Sequence, residues 1–160
     1  MTQPNDLTAV PSTIQAIISI FGVANPIDAN NRPIMVWYGQ ELGVFAEPTT
    51  IEINGASMTQ APAELGPNYR REEEFLVHGK ITVFAGEGST DTDHINRMND
   101  AWTVWKALQV AVANNPTLNN NVRYAEFISV DDLPTTTPRG NAMHQLTFEL
   151  RCEQRVTSLS

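Results

Sequence analysis

Three consecutive pieces decide the fold: Glu73–Ala85 (EEFLVHGKITVFA), Gly86–Ser89 (GEGS) and Asp91–Asn115 (DTDHINRMNDAWTVWKALQVAVANN), closed by Pro116. In the first piece Phe75, Val77, Ile81 and Val83 share one parity, and Glu74, His78, Lys80 and Thr82 the other. That two-residue period is the pattern of a strand with one buried face. Leu76 and Phe84 add apolar groups to the second parity, so that face is expected to be partly covered. The third piece changes period. Ile95, Met98, Trp102, Trp105, Leu108 and Val112 recur at steps of three and four, with Ala101 beside them, which predicts one apolar helical stripe. Ser89, Thr90 and Asp91 are suited to cap its start, and Asp91 and Asp93 suit its positive end. Pro116 ends it, because proline disfavours helical geometry in the residue before it.

Working outward, Pro11–Phe21 reads as a short helix with Ile14, Ile17, Ile18 and Phe21 on one face and Gly22 as its stop. Residues 1–10 read as a loose arm. Ile34–Tyr38 and Thr49–Ile53 read as short strands. From Asn54-Gly55 to about Arg71 no period is visible, and the reading is a long loop. Beyond the long helix, Val122, Tyr124, Ile128 and Val130 alternate in a strand that ends near Val130. Asp131–Gly140 reads as a second irregular loop. The last strand is the clearest, with Leu146, Phe148, Leu150 and Cys152 on one side and Gln145, Thr147, Glu149, Arg151 and Glu153 on the other. The expectation is one α+β domain over residues 11–156. It is a mostly antiparallel sheet of about five strands, neighbours paired as hairpins, with one long and one short helix on one face.

A chain of 160 residues needs no disulfide staple, and its single cysteine, Cys152, makes none within the chain. The formal charge of −8 argues against a nucleic-acid reader. The polar start lacks the basic and apolar regions of a signal peptide, and no apolar run approaches the roughly 20 residues that span a bilayer. A soluble protein made in the cytosol is expected.

Motifs for chemistry are weak. Gly86-Glu87-Gly88-Ser89-Thr90 lacks the lysine of a P-loop and the third glycine of a dinucleotide site, and reads as a plain turn. Asp91, Asp93 and His94 lack metal-ligand spacing, as does the pair Asp131-Asp132. His78, His94 and His144 lie far apart in sequence, and Cys152 falls on the apolar parity, where a nucleophile is poorly exposed. No Gly-x-Ser-x-Gly elbow is present. The expectation is a protein that is not an enzyme and takes no cofactor or metal.

Several features in combination resemble the tail terminator (tail completion) and related neck proteins of long-tailed bacteriophages. They are the early short helix, the strand Ile34-Met35-Val36-Trp37-Tyr38-Gly39, and the long strand ending Ile81-Thr82-Val83-Phe84-Ala85-Gly86. The long helix then closes in Asn115-Pro116-Thr117-Leu118-Asn119 before a strand. Those proteins often carry Pro-Thr-Leu-Gly-Gly at that turn. Asn119-Asn120 stands here instead, and asparagine tolerates the left-handed geometry of glycine. The resemblance spans residues 11–154. It implies a structural virion protein that forms a ring, usually hexameric, capping the tail tube and joining tail to head. The implied partners are further copies of the chain, the tail tube protein and a head–tail connector, with DNA passing through the lumen unbound. A ring needs a head-to-tail contact that closes. Loop length and charge place that contact at residues 54–71 and 131–140, with Arg70, Arg71, Glu72, Glu73, Glu74, Asp131, Asp132 and Arg139 as candidates. The alternatives are a connector, head-closure or minor tail protein, or a small-ligand-binding or catalytic domain using Trp102, Trp105 and His94.

Overall fold

The computed structural model describes residues 8–24, 34–39, 49–62, 70–84, 91–136 and 142–157. Among them are α1 (Val10–Ala24), β1 (Met35–Tyr38), β2 (Thr49–Pro62), β3 (Arg70–Phe84), α2 (Asp91–Asn114), β4 (Tyr124–Thr136) and β5 (Ala142–Thr157). The strands form one sheet in the order β1-β2-β3-β5-β4. β1 pairs β2 in parallel, and every other pair is antiparallel. The fold class is α+β, as the alternating periods predict.

The sheet has one apolar face. Phe75, Val77, Ile81 and Val83 on β3 stand opposite Cys152, Leu150, Leu146 and His144 on β5, and Ile51 and Ile53 continue the face on β2. Ile14, Ile17 and Phe21 of α1 and Ala101, Val104, Trp105, Leu108 and Val112 of α2 join them in a single buried cluster. Both helices therefore lie on the same side. At about 1.5–3 kcal/mol for each large side chain removed from water, this face holds the molecule together. Its centre is aromatic: Trp105 meets Phe127 edge-on with ring centroids 4.4 Å apart, and Phe148 lies 5.5 Å from Phe127. Gly79 makes room for Phe148, its partner across β3 and β5; a Cβ at Gly79 would lie 2.2 Å from Phe148 Cζ.

Several expectations need correction. The stripe of α2 is rotated: Val104 is buried, Ile95 is 56 % exposed, and Trp102 sits at the edge of the core. Residues 101, 104, 105, 108 and 112 obey the same helical spacing, so periodicity left two neighbouring stripes open. α1 runs past Gly22 to Ala24. Neighbouring strands do not all form hairpins, because β5 inserts between β3 and β4 and α2 crosses over it.

Residues 54–62, 70–71 and 131–136 of the two expected loops are strand, and residues 63–69 and 137–140 lie outside the described residues. β2 continues to Pro62, paired with β3 throughout, and its register shifts between Ile53 and Gly55. Asn54-Gly55 is a bulge and not a turn; Gly55 takes φ +123°, which suits glycine. Ala56, Ser57 and Met58 are all exposed, so no apolar alternation announced this half of the strand. β4 likewise runs to Thr136, with Asp131 opposite Thr147. It is an edge strand, where Pro134 is tolerated. A second bulge, between Phe127 and Ser129, inverts the parity partway along β4, so no single alternation fits the whole strand. Ala125 and Phe127 turn inward, whereas Tyr124 and Ile128 are 45 % and 47 % exposed.

The turn after α2 matches its expectation. Asn119 and Asn120 adopt φ +58° and +64°, and Leu118 joins them at +47°. Such geometry costs about 1–2 kcal/mol per residue. Asn115 offsets part of this: its Oδ1 accepts the Asn119 N–H at 3.0 Å and its Nδ2 donates to Asn119 Oδ1 at 2.7 Å. Leu118 is fully buried and anchors the turn.

Candidate functional site

The sheet face away from the helices carries the polar parity of β3 and β5, and three side chains there form a line. Ser57 on β2 places its Oγ 3.0 Å from His78 Nε2 on β3. His78 Nδ1 lies 3.7 Å from Glu149 Oε1 on β5, the residue directly opposite it. The second distance is an ion-pair contact and too long for a hydrogen bond. Neither His78 nor Glu149 is buried, their side chains being 37 % and 39 % exposed. Chemically the line is hydroxyl, imidazole, carboxylate, the order of a base-activated nucleophile. Sequence reading treated the histidines one by one and missed it. Its members lie 21 and 71 residues apart along the chain (78 − 57 and 149 − 78), and only strand register unites them.

Next to this line the same face becomes buried. Glu52 is 2 % exposed and faces Lys80 across β2 and β3, with 3.5 Å between carboxylate and ammonium. Thr50 and Thr82 are cross-strand partners, both buried, and neither hydroxyl has a hydrogen-bond partner among the described residues. Farther along, Arg151 bridges Glu126 and Glu153.

The residues expected at a subunit contact that the structure describes have different surroundings. Arg70 and Arg71 belong to β3, paired to Thr157 and Val156, and their side chains lie outside the described residues. Arg139 lies outside them altogether. Glu72 makes a solvent-exposed ion pair with Arg123 at 3.6 Å, and Glu74 and Asp131 are exposed. Glu73 is no surface charge at all, being 1 % exposed. It shares the parity of Phe75, and its Oε2 accepts the Ala9 N–H and the Thr8 hydroxyl, each at 3.1 Å. A carboxylate there satisfies the Ala9 amide just before α1 and suits the positive end of the helix. Asp132 also points into its own chain. It accepts the Trp102 indole N–H at 2.7 Å, and its other oxygen lies 2.6 Å from Nε2 of buried His144, close enough for an ion pair but outside hydrogen-bond geometry.

Trp105 is 4 % exposed in the aromatic core, and Trp102 is tied to Asp132, so the two do not form an open ligand box. His94 is half-buried at the start of α2; Gly86–Thr90 and the side chains of Asp91 and Asp93 lie outside the described residues. Among the described residues no group of three or more His, Cys, Asp or Glu side chains is placed to hold a metal ion. Cys152 is fully buried, and burial pushes its thiol up from 9.0 to about 12. It is therefore protonated and inert at neutral pH. No protein-family model matches this chain, and no curated protein matches it either.

Proposed function

We propose that the chain is a structural virion subunit, a tail terminator whose copies close into a ring that caps the tail tube and joins tail to head. The observation that carries this reading is the turn between α2 and β4. The phage proteins it resembles often have two glycines there, and Asn119 and Asn120 hold the left-handed backbone that glycine favours. The element order supports it as well: short helix, short strand, two long strands, long helix, two long strands. β1 and β4 are the two edge strands of the sheet, and they differ in length and sequence. Two unlike edges suit a head-to-tail contact better than a two-fold one. The charge of −8 is consistent with a lumen that DNA passes without sticking. In this role the chain acts mechanically, with the tail tube protein and a connector as its neighbours in the virion.

The test is the mass in solution by light scattering across a concentration series, followed by electron microscopy of tail tubes mixed with the protein. A closed oligomer, or rings seated on tube ends, is expected. A monomer at every concentration that also fails to cap tubes refutes the proposal. Rings that bind filled heads and ignore tubes favour a connector.

A further inference from the structure

Both irregularities of the sheet fall on one cross-strand row. Gly55 on β2, His78 on β3, Glu149 on β5 and Ser129 on β4 stand side by side, and the register shifts of β2 and β4 lie immediately before Gly55 and Ser129. The first shift has a definite effect. Ile53 is opposite Gly79, so an unbroken register would place Ser57 opposite Phe75, facing the core. The extra residue places it opposite Leu76 instead, on the face of His78. Bulges that re-aim a side chain in this way are over-represented beside active sites. Gly55 also leaves the row open next to His78, since a Cβ there would meet nothing within 4 Å.

We propose that Ser57 is a nucleophilic serine, activated by His78 and positioned through Glu149, that takes an acyl or phosphonyl group from a donor with a good leaving group. With the ring proton on Nδ1, facing Glu149, His78 Nε2 accepts the Ser57 hydroxyl. As the Ser57 oxygen forms its bond to the donor carbon or phosphorus, its proton passes to Nε2. The bond to the leaving group breaks, and that group departs with the electron pair. An alkoxide leaving group recovers the proton from His78; fluoride leaves as the anion, and the imidazolium then gives its proton to solvent water. The Glu149 carboxylate, 3.7 Å away, stabilises the imidazolium that forms between the two events. Ser57 and His78 touch the reacting atoms, and Glu149 is a positioning residue. The product is one stable ester per chain, a modification distinct from any role in assembly.

The test uses the intact protein and an alkyl fluorophosphonate, with the adduct read by intact mass and located by peptide mapping. A single adduct on Ser57 is expected, absent in Ser57→Ala. Its rate of formation should fall on the order of 100-fold in His78→Gln, the usual worth of a positioned base. It should fall about 10-fold in Glu149→Gln and recover in Glu149→Asp, the conservative carboxylate. All of these side chains are solvent-accessible, and unchanged melting temperatures would show that the fold persists. Absence of an adduct, an adduct on another residue, or an unchanged rate in His78→Gln or Glu149→Gln overturns the proposal.

Discussion

Gly79→Ala tests the sheet register and the aromatic core together, because two physical effects of opposite sign compete at this position. In a strand, glycine costs roughly 0.5–1 kcal/mol relative to alanine through lost conformational freedom, so an unobstructed alanine would stabilise. Here the new Cβ would lie 2.2 Å from Phe148 Cζ, 2.5 Å from Cε2 and 2.9 Å from Cε1. The ring cannot simply swing away. It is 2 % exposed and held edge-on against Phe21 at 6.2 Å and Phe127 at 5.5 Å, with Trp105 at 5.8 Å. Displacing it is an overpacking event costing about 1–3 kcal/mol, which outweighs the entropic gain. The net expectation is a loss of about 1–2 kcal/mol, or a melting temperature lower by roughly 2–8 °C for a domain of this size. Urea unfolding followed by circular dichroism measures it. Phe148→Leu in the same chain should be less harmful than the two single losses added together, since the smaller side chain frees the space. A neutral or stabilising Gly79→Ala would refute the reasoning and with it the pairing of Gly79 with Phe148.

Replacing Asn120 by Gly should be neutral or mildly stabilising, and replacing it by Val should cost about 1–2 kcal/mol, because only the glycine accepts φ +64° without strain; thermal unfolding separates them. Glu73→Ala should cost about 1–3 kcal/mol by leaving the Ala9 amide without its acceptor, with the largest loss of hydrogen-exchange protection in α1. Cys152 predicts an alkaline effect of definite sign. Its thiol keeps its proton in the fold up to about 12, whereas the unfolded chain loses it near 9.0, so this contribution is complete below pH 9.0 and declines as pH rises toward 12. The urea midpoint should therefore fall less steeply above pH 9.0 in Cys152→Ala than in the unaltered protein.

Local chemistry made part of this architecture legible. The alternation in β3 and β5 and the 3.6-residue period of α2 are properties of neighbouring residues, and they predicted the α+β class and the common face of both helices. The left-handed turn was readable too, because asparagine tolerates that geometry wherever it occurs. Other features depended on contacts across the chain. β2 beyond Gly55 and β4 beyond Val130 are strands because β3 and β5 supply their hydrogen bonds, and no apolar pattern marks them. Two bulges invert side-chain parity: the first turned Ser57 outward to His78, and the second turned Ser129 outward and Val130 toward the apolar face. Glu73 resembled one charge among several in an exposed run. Its parity with Phe75 was visible, but its role required the start of α1, about 65 residues earlier in the chain, to supply the amide that makes a buried carboxylate tolerable. The sequence by itself determined the elements whose periods are local. The tertiary structure decided register, strand length and burial of charge, because each is set by hydrogen bonds between residues distant in sequence.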